Sequence, residues 1–197
     1  MAEPTAEFGK EVVPASPGGW WKDQSIQKQL LSLPLTPQGL YVYHLATVKN
    51  QCRSILTAMQ FAYRQATPSG AAPEEMADKF WSQCQPFYAM KANPHPDLVT
   101  AIASHGIGIE CVSAAEIRHA RRLVGSAHPI LFTPNFCDAS EYGDAFALGA
   151  DVTVDGPDIL RVIPDTFAGR EIGVRIDPGA GEGHHAKVMP GMTYGCD

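Results

Sequence analysis

The chain has no long apolar run. No stretch approaches the roughly eighteen consecutive apolar residues that a membrane-spanning helix needs, so no membrane partner is expected. It has no basic excess either: 15 Lys and Arg stand against 21 Asp and Glu, a formal charge of -6. The densest basic group, Arg118, Arg121 and Arg122, reads as a solvated helix face, and nucleic acid is a poor partner for such a chain. No CxxC pair occurs. The five cysteines at 52, 84, 111, 137 and 196 are scattered, which argues against a disulfide framework or a zinc site and predicts reduced thiols in a cytoplasmic protein. The start, "MAEPTAEFGKEVVPASPGGWW", lacks a basic segment followed by an apolar core, so it does not read as a secretory signal. Its Pro, Gly, Ala and Glu content predicts a mobile extension over residues 1–35.

What is present is a rhythm. The segment "LYVYHL", from Leu40, is β-branched and aromatic and reads as a strand after the turn signal "TPQG". Val48, Cys52, Ile55, Leu56, Met59 and Tyr63 then recur at helical spacing, with Thr47 as the expected N-cap. From Phe87 the short apolar runs "FYAM", "GIECV", "HPILFT", "DVTVD" and "EIGVRID" return about every 20 residues, with helical patterns between them. Gly106 and Gly149 fall just past two of these helices, where a left-handed residue is wanted. Short strands joined by helices imply a parallel sheet covered by helices. No Gly-rich fingerprint follows the first strand, so the steady repeat favours a (β/α)8 barrel over a doubly wound sheet. Five such strands are visible, or six with the "LYVYHL" run, where a barrel needs eight. The expectation is an incomplete (β/α) barrel, the front portion of a larger protein.

The run "FYAM" ends on Lys91. Chemistry in parallel α/β folds gathers at the carboxyl ends of strands, where Lys91 lies. A partly buried lysine there has a lowered pKa and can condense with an aldehyde, pyridoxal phosphate being the common partner. A lysine that merely snorkels to solvent also fits that position.

The wording around Lys91 adds to this reading. "FYAMKANPHPDLV" resembles the cofactor-lysine segment, Y-A-V-K-A-N, of the barrel-type (fold type III) pyridoxal phosphate decarboxylases. "GIGIECVSAAEIRHA" and "ILFTPN" are similar to that family's next segments, and "GVRIDPGAGEGHHAKVMPG" to the Gly-His loop of its diaminopimelate decarboxylase branch. The resemblance covers Tyr41 to about Gly195, and implies that residues 36–197 are the N-terminal part of a pyridoxal-phosphate-binding barrel without the C-terminal β-domain. It implies that Lys91 is catalytic and holds the cofactor's aldehyde, that Glu110 is an acidic group near the cofactor, and that Arg175 lies near the ring hydroxyl. The implied function is diaminopimelate decarboxylation, a step of lysine biosynthesis, in a protein that is a homodimer at full length. This chain alone is expected to be without turnover. An ornithine- or arginine-type decarboxylase, a racemase, and a non-catalytic, partner-binding homologue are the alternatives.

Other residues carry plainer readings. Ser113 and Glu116 form a capping box, Ser-x-x-Glu, and Glu116 is also within the range of positions that could touch an active-site neighbour. Cys111 reads as a small buried hydrophobe. The loop "DPGAGEGHH" lacks the terminal Lys-Ser/Thr of a P-loop. Its adjacent His184 and His185 would point opposite ways on a strand, so no metal site is expected and a flexible loop at the active-site mouth is the preferred reading. Asp177 and "MPGM" depart from the family's usual wording.

Overall fold

A computed structural model describes residues 19–33, 41–66, 80 and 83–176 of the chain. It divides into two compact units, residues 1–88 with 93–107, and residues 89–92 with 108–197.

In the first unit the described residues form helices α1 (Gln24–Leu31), α2 (Leu45–Ala66) and α3 (Pro96–Ala103), and the start of strand β1 (Phe87–Ala89). The predicted strand at residues 40–45 is not found: Tyr41 to His44 have no regular structure, and Leu45 already belongs to α2. The reason lies at His44. Its Nδ1 accepts the backbone N–H of Thr47 at 3.3 Å and lies within hydrogen-bond distance of the Thr47 hydroxyl, at 2.8 Å. The chain is thus capped into a helix at His44, three residues before the expected cap, and Thr47 lies inside the first turn. Helix α1 falls within residues 1–35, where a mobile extension is expected from the sequence, and is capped by Asp23, whose carboxylate accepts the N–H groups of Ser25 and Ile26. The apolar stripe of α2 holds in part: Cys52 and Leu56 pack with Leu98, Ile102 and Ile107, flanked by Val48 and Tyr88, while Ile55, expected on the same face, is exposed.

The second unit carries the sheet. Strands β2 (Gly108–Cys111), β3 (Ile130–Phe132), β4 (Asp151–Val154) and β5 (Gly173–Val174) alternate with helices α4 (Ala114–Val124), α5 (Ala139–Ala147), α6 (Asp158–Val162) and α7 (Pro164–Phe167). Pairing from β2 to β5 is parallel throughout. The strand order is β1-β2-β3-β4-β5. That sequential order is the barrel's; a doubly wound sheet reverses direction partway, as in 3-2-1-4-5-6. The α/β barrel class read from the sequence therefore holds over these five strands. The last helical pattern breaks in two at Pro164, which forces Ile163 out of the helical region (φ -131°, ψ 59°).

Register sorts the side chains into two faces. Ile109 pairs with Ile130, Cys111 with Phe132, and Phe132 with Val152. All of these are essentially inaccessible, and with Val154 and Tyr142 they make the core under the helices. Tyr142 packs edge-on between Phe132 and Phe167. Glu110, Leu131, Thr133 and Thr153 alternate onto the opposite face, which is only half-buried. Gly173 belongs there for a steric reason: a Cβ would stand 2.8 Å from the Thr153 hydroxyl. Gly106 and Gly149 take the expected left-handed conformation (φ 78° and 70°).

Arg121 corrects an expectation. It is not a solvated charge but a clamp. Its guanidinium donates to the carbonyls of Leu148 (2.8 Å), Gly125 (3.1 Å), His128 (2.6 Å) and Gly149 (2.6 Å), tying the ends of α4 and α5 to the loop before β3. The fork of donors on one planar group can satisfy several helix-end carbonyls at once, which a spacing rule does not reveal. Arg118 pairs with Asp144 at 2.5 Å on the next helix.

Candidate functional site

Strand β1 stops at Ala89, and Met90–Ala92 turn as one short 3-10 helix. Successive side chains in such a turn are about 120° apart. Met90 takes the inward position and is fully buried. Lys91 is thereby swung outward, and its side chain is 57% exposed. This differs from the partly dry amine expected from the sequence, because the buried place belongs to the methionine. The lysine amine is accessible and has a partner: Glu110 Oε1 lies 3.5 Å from its Nζ.

Glu110 comes from the neighbouring strand. It is 14% exposed, so its carboxylate is largely removed from water. The Thr133 hydroxyl, at the carboxyl end of β3, donates to Glu110 Oε1. Thr133 is held there by its own backbone, whose N–H donates to the Cys111 carbonyl at 2.9 Å and continues the β2–β3 ladder. The other carboxylate oxygen, Oε2, is buried and has no hydrogen-bond partner among the described residues. A buried oxygen of this kind is costly unless a ligand or solvent satisfies it.

Arg175 follows β5 directly. Its N–H donates to the Val154 carbonyl at 2.8 Å, and its position two residues after Gly173 puts it on the same sheet face as Thr153. Its side chain is exposed, and among the described residues no ion pair joins it to Lys91 or Glu110. The structure therefore brings Lys91 and Glu110 together and leaves Arg175 apart. The Gly-His-His loop, Asp177 and the "MPGM" run lie outside the described residues.

The capping box is present in altered form. Ser113 Oγ accepts the Glu116 N–H at 3.2 Å, while the Glu116 carboxylate accepts the N–H of Val112 at 2.9 Å, one residue before the cap. The free N–H of Ala114 goes to Glu141 of α5, at 2.7 Å. Glu116 is thus engaged with backbone. Cys111 is fully buried, as expected, and burial with the nearby Glu116 and Glu110 charges pushes its thiol up to about 12.

Sequence reasoning passed over three supports. Thr133 stood unremarked inside "ILFTPN". Asn93, in the quoted K-A-N, closes the turn after Lys91: its Oδ1 accepts the His95 N–H at 3.0 Å, its Nδ2 donates to the Tyr43 hydroxyl at 3.0 Å, and its carbonyl accepts from Tyr88 at 3.2 Å. Asp155, just past β4, accepts from the Tyr142 hydroxyl (3.1 Å) and from the N–H of Phe136 (3.2 Å), which sits at φ 57°. A short polar residue beside a strand end was the available signal in each case.

A parallel sheet in sequential order, with an accessible amine past the end of one strand and a sequestered carboxylate on the next, defines a domain of the β/α-barrel class. The family profile of the pyridoxal-dependent decarboxylases, pyridoxal binding domain, matches residues 71–197, and the chain belongs to that family. The chain is 37% identical to the diaminopimelate decarboxylase of Deinococcus radiodurans over 108 residues, 54% of this chain and 27% of that protein. It is 33% identical to the ornithine decarboxylase of Leishmania donovani over 91 residues, 43% of this chain and 13% of that protein. The solved diaminopimelate decarboxylase of Helicobacter pylori, in complex with L-lysine, shares the fold at a TM-score of 0.53 and 21% identity, covering 78% of this chain and 34% of that one. The chain spans about a quarter of the length of the diaminopimelate decarboxylases it matches.

The cofactor of this family is pyridoxal phosphate, and the described residues fit it. The amine that would take the aldehyde is open to solvent, and the partnerless Glu110 Oε2 offers a polar group beside it for a bound ligand.

Proposed function

We propose that this protein is part of a pyridoxal-phosphate-dependent amino-acid decarboxylase acting on diaminopimelate, in lysine biosynthesis, as a cytoplasmic homodimer. The observation that carries the reading is the 3.5 Å approach of Lys91 Nζ to Glu110 Oε1 at adjacent strand ends, inside a pyridoxal-binding domain. Pyridoxal phosphate bound there supplies an aldehyde and a ring that accepts the electrons left by carbon dioxide.

Lys91 is the amine for that aldehyde. A lysine must surrender a proton to act as a nucleophile, and the Glu110 carboxylate, 3.5 Å away, is placed to receive it. Glu110 also keeps Nζ from wandering through solvent. Arg175 would supply a positive charge from the same sheet face, suited to an anionic oxygen of cofactor or substrate.

The substrate follows the relatives: several of those matched are diaminopimelate decarboxylases. The match to an ornithine decarboxylase favours a second reading, a decarboxylase of the ornithine or arginine type. Borohydride reduction in the presence of pyridoxal phosphate, followed by peptide mass spectrometry, tests the lysine. Pyridoxyl mass is expected on Lys91, and Lys91→Ala is expected to lose both that mass and the visible absorbance band. Carbon dioxide release from diaminopimelate, ornithine and arginine, measured on the full-length protein, tests the substrate; fastest release from ornithine or arginine would overturn the diaminopimelate assignment.

A further inference from the structure

Among the described residues, the side-chain hydrogen bond of Thr133 goes to one oxygen of Glu110. That oxygen, Oε1, is also the one facing Lys91 Nζ. The carboxylate is therefore held from two sides at a single atom, while its second oxygen is buried and unpartnered. Without the threonine hydroxyl, the Glu110 carboxylate would be free to rotate about its last bond, since terminal torsions of Glu are broad and soft. Rotation would let either oxygen, or neither, face the amine. The hydroxyl removes that freedom by anchoring Oε1. The anchor is itself rigid: the Thr133 N–H is fixed to the Cys111 carbonyl, so the hydroxyl projects from a continued strand rather than from a mobile loop.

We infer that Thr133 is a positioning residue, whose hydroxyl orients Glu110 so that Oε1 holds the Lys91 amine. This rests on the reading of Lys91 as the cofactor lysine, and deepens it by naming the group that sets its geometry. A side-chain hydroxyl on β3 thus acts on an amine past β1 through a carboxylate on β2. Valine has threonine's shape without its hydroxyl, and serine has the hydroxyl without the methyl, so the pair separates orientation from packing.

The test needs no turnover. Reductive methylation with carbon-13 formaldehyde gives each lysine a dimethylamino signal in the NMR spectrum, and the signal missing from Lys91→Arg is that of Lys91. In the unaltered chain the Lys91 signal is expected to lie apart from those of freely exposed lysines, and Glu110→Gln is expected to move it onto them. Thr133→Val is expected to do the same, Thr133→Ser to leave it in place, and Thr133→Val in the Glu110→Gln background to add nothing. A Lys91 signal unmoved by Thr133→Val overturns the inference. So does one moved equally by serine and valine, or one that already coincides with exposed lysines in the unaltered chain. Borohydride trapping of pyridoxal phosphate on the same samples addresses the underlying reading separately: trapping spread evenly over all lysines would defeat the cofactor role whatever the spectra show.

Discussion

Met90 and Lys91 are neighbours with opposite fates: the methionine is fully buried, and the lysine beside it is 57% exposed. One short 3-10 turn produces both. The apolar residue acts as the pin that fixes where the amine stands. Truncating it should then cost stability as well as geometry. Met90→Ala is expected to lower unfolding stability by about 2–5 kcal/mol, and Met90→Leu, which conserves volume, by less than about 1.5 kcal/mol. Urea titration followed by tryptophan fluorescence and circular dichroism measures both. Equal effects would mean that Met90 is not packed as described.

The Arg121 clamp makes a second prediction. Four carbonyls depend on one guanidinium. Hydrogen bonds to a charged group contribute about 1.5–3 kcal/mol each, but exposure and shared geometry keep the sum well below four times that. Arg121→Met is expected to cost about 2–4 kcal/mol. Arg121→Lys should recover little, because a single ammonium cannot reach carbonyls spread over a fork. Thermal unfolding of the three proteins distinguishes this from a solvated charge, for which both substitutions would be nearly silent.

These two cases show what the sequence could and could not reveal. The strand-helix rhythm was legible because period and length are local properties, and the parallel sequential sheet followed from it. Lys91 stood out because position at a strand end is also local, whereas Glu110 was marked only by the family resemblance; the structure puts the two within 3.5 Å of each other. The burial of Met90 in place of Lys91 was not legible, since it depends on a turn that three residues make together. The role of Arg121 was hidden because its partners lie up to 28 residues away. Tyr41 to His44 misled for a different reason: strand propensity there was overridden when the His44 ring capped the following helix. Thr133 looked like an ordinary strand residue until the register put it on the face of Glu110.

Helix α4 offers a third prediction. Ser113 accepts the Glu116 N–H as its N-cap. Ser113→Ala is expected to destabilise the protein by about 1 kcal/mol, and Ser113→Asp to restore most of it, since aspartate caps as well as serine. The helix shares a donor with Glu141, so Glu141→Gln should weaken the same end by less than the serine change. Hydrogen exchange at Ala114, Ala115 and Glu116 reports the loss locally. Unchanged protection there in Ser113→Ala would show that the cap contributes nothing.

The Cys111 thiol gives the protein a pH dependence of definite sign. Burial, with the charges of Glu116 and Glu110 behind it, raises the thiol from 9.0 to about 12 in the folded state. In the unfolded chain it titrates near its ordinary value. Between those two points the folded state keeps a proton that the unfolded state has released, so raising the pH favours unfolding. The stabilising contribution is fully present below about pH 9 and is lost progressively as pH climbs toward about 12, at roughly 1.4 kcal/mol per pH unit for one such group. Tyr142, Cys137 and Cys52 are shifted upward as well and act in the same direction. Comparison with Cys111→Ala isolates the one thiol: alanine removes a small amount of packing at every pH, but its stability should fall less steeply from pH 9 to 11 than that of the unaltered chain. Denaturant midpoints at pH 7, 9, 10 and 11 supply the slopes, and parallel slopes for the two proteins would mean that Cys111 ionises in the folded state as readily as in the unfolded one.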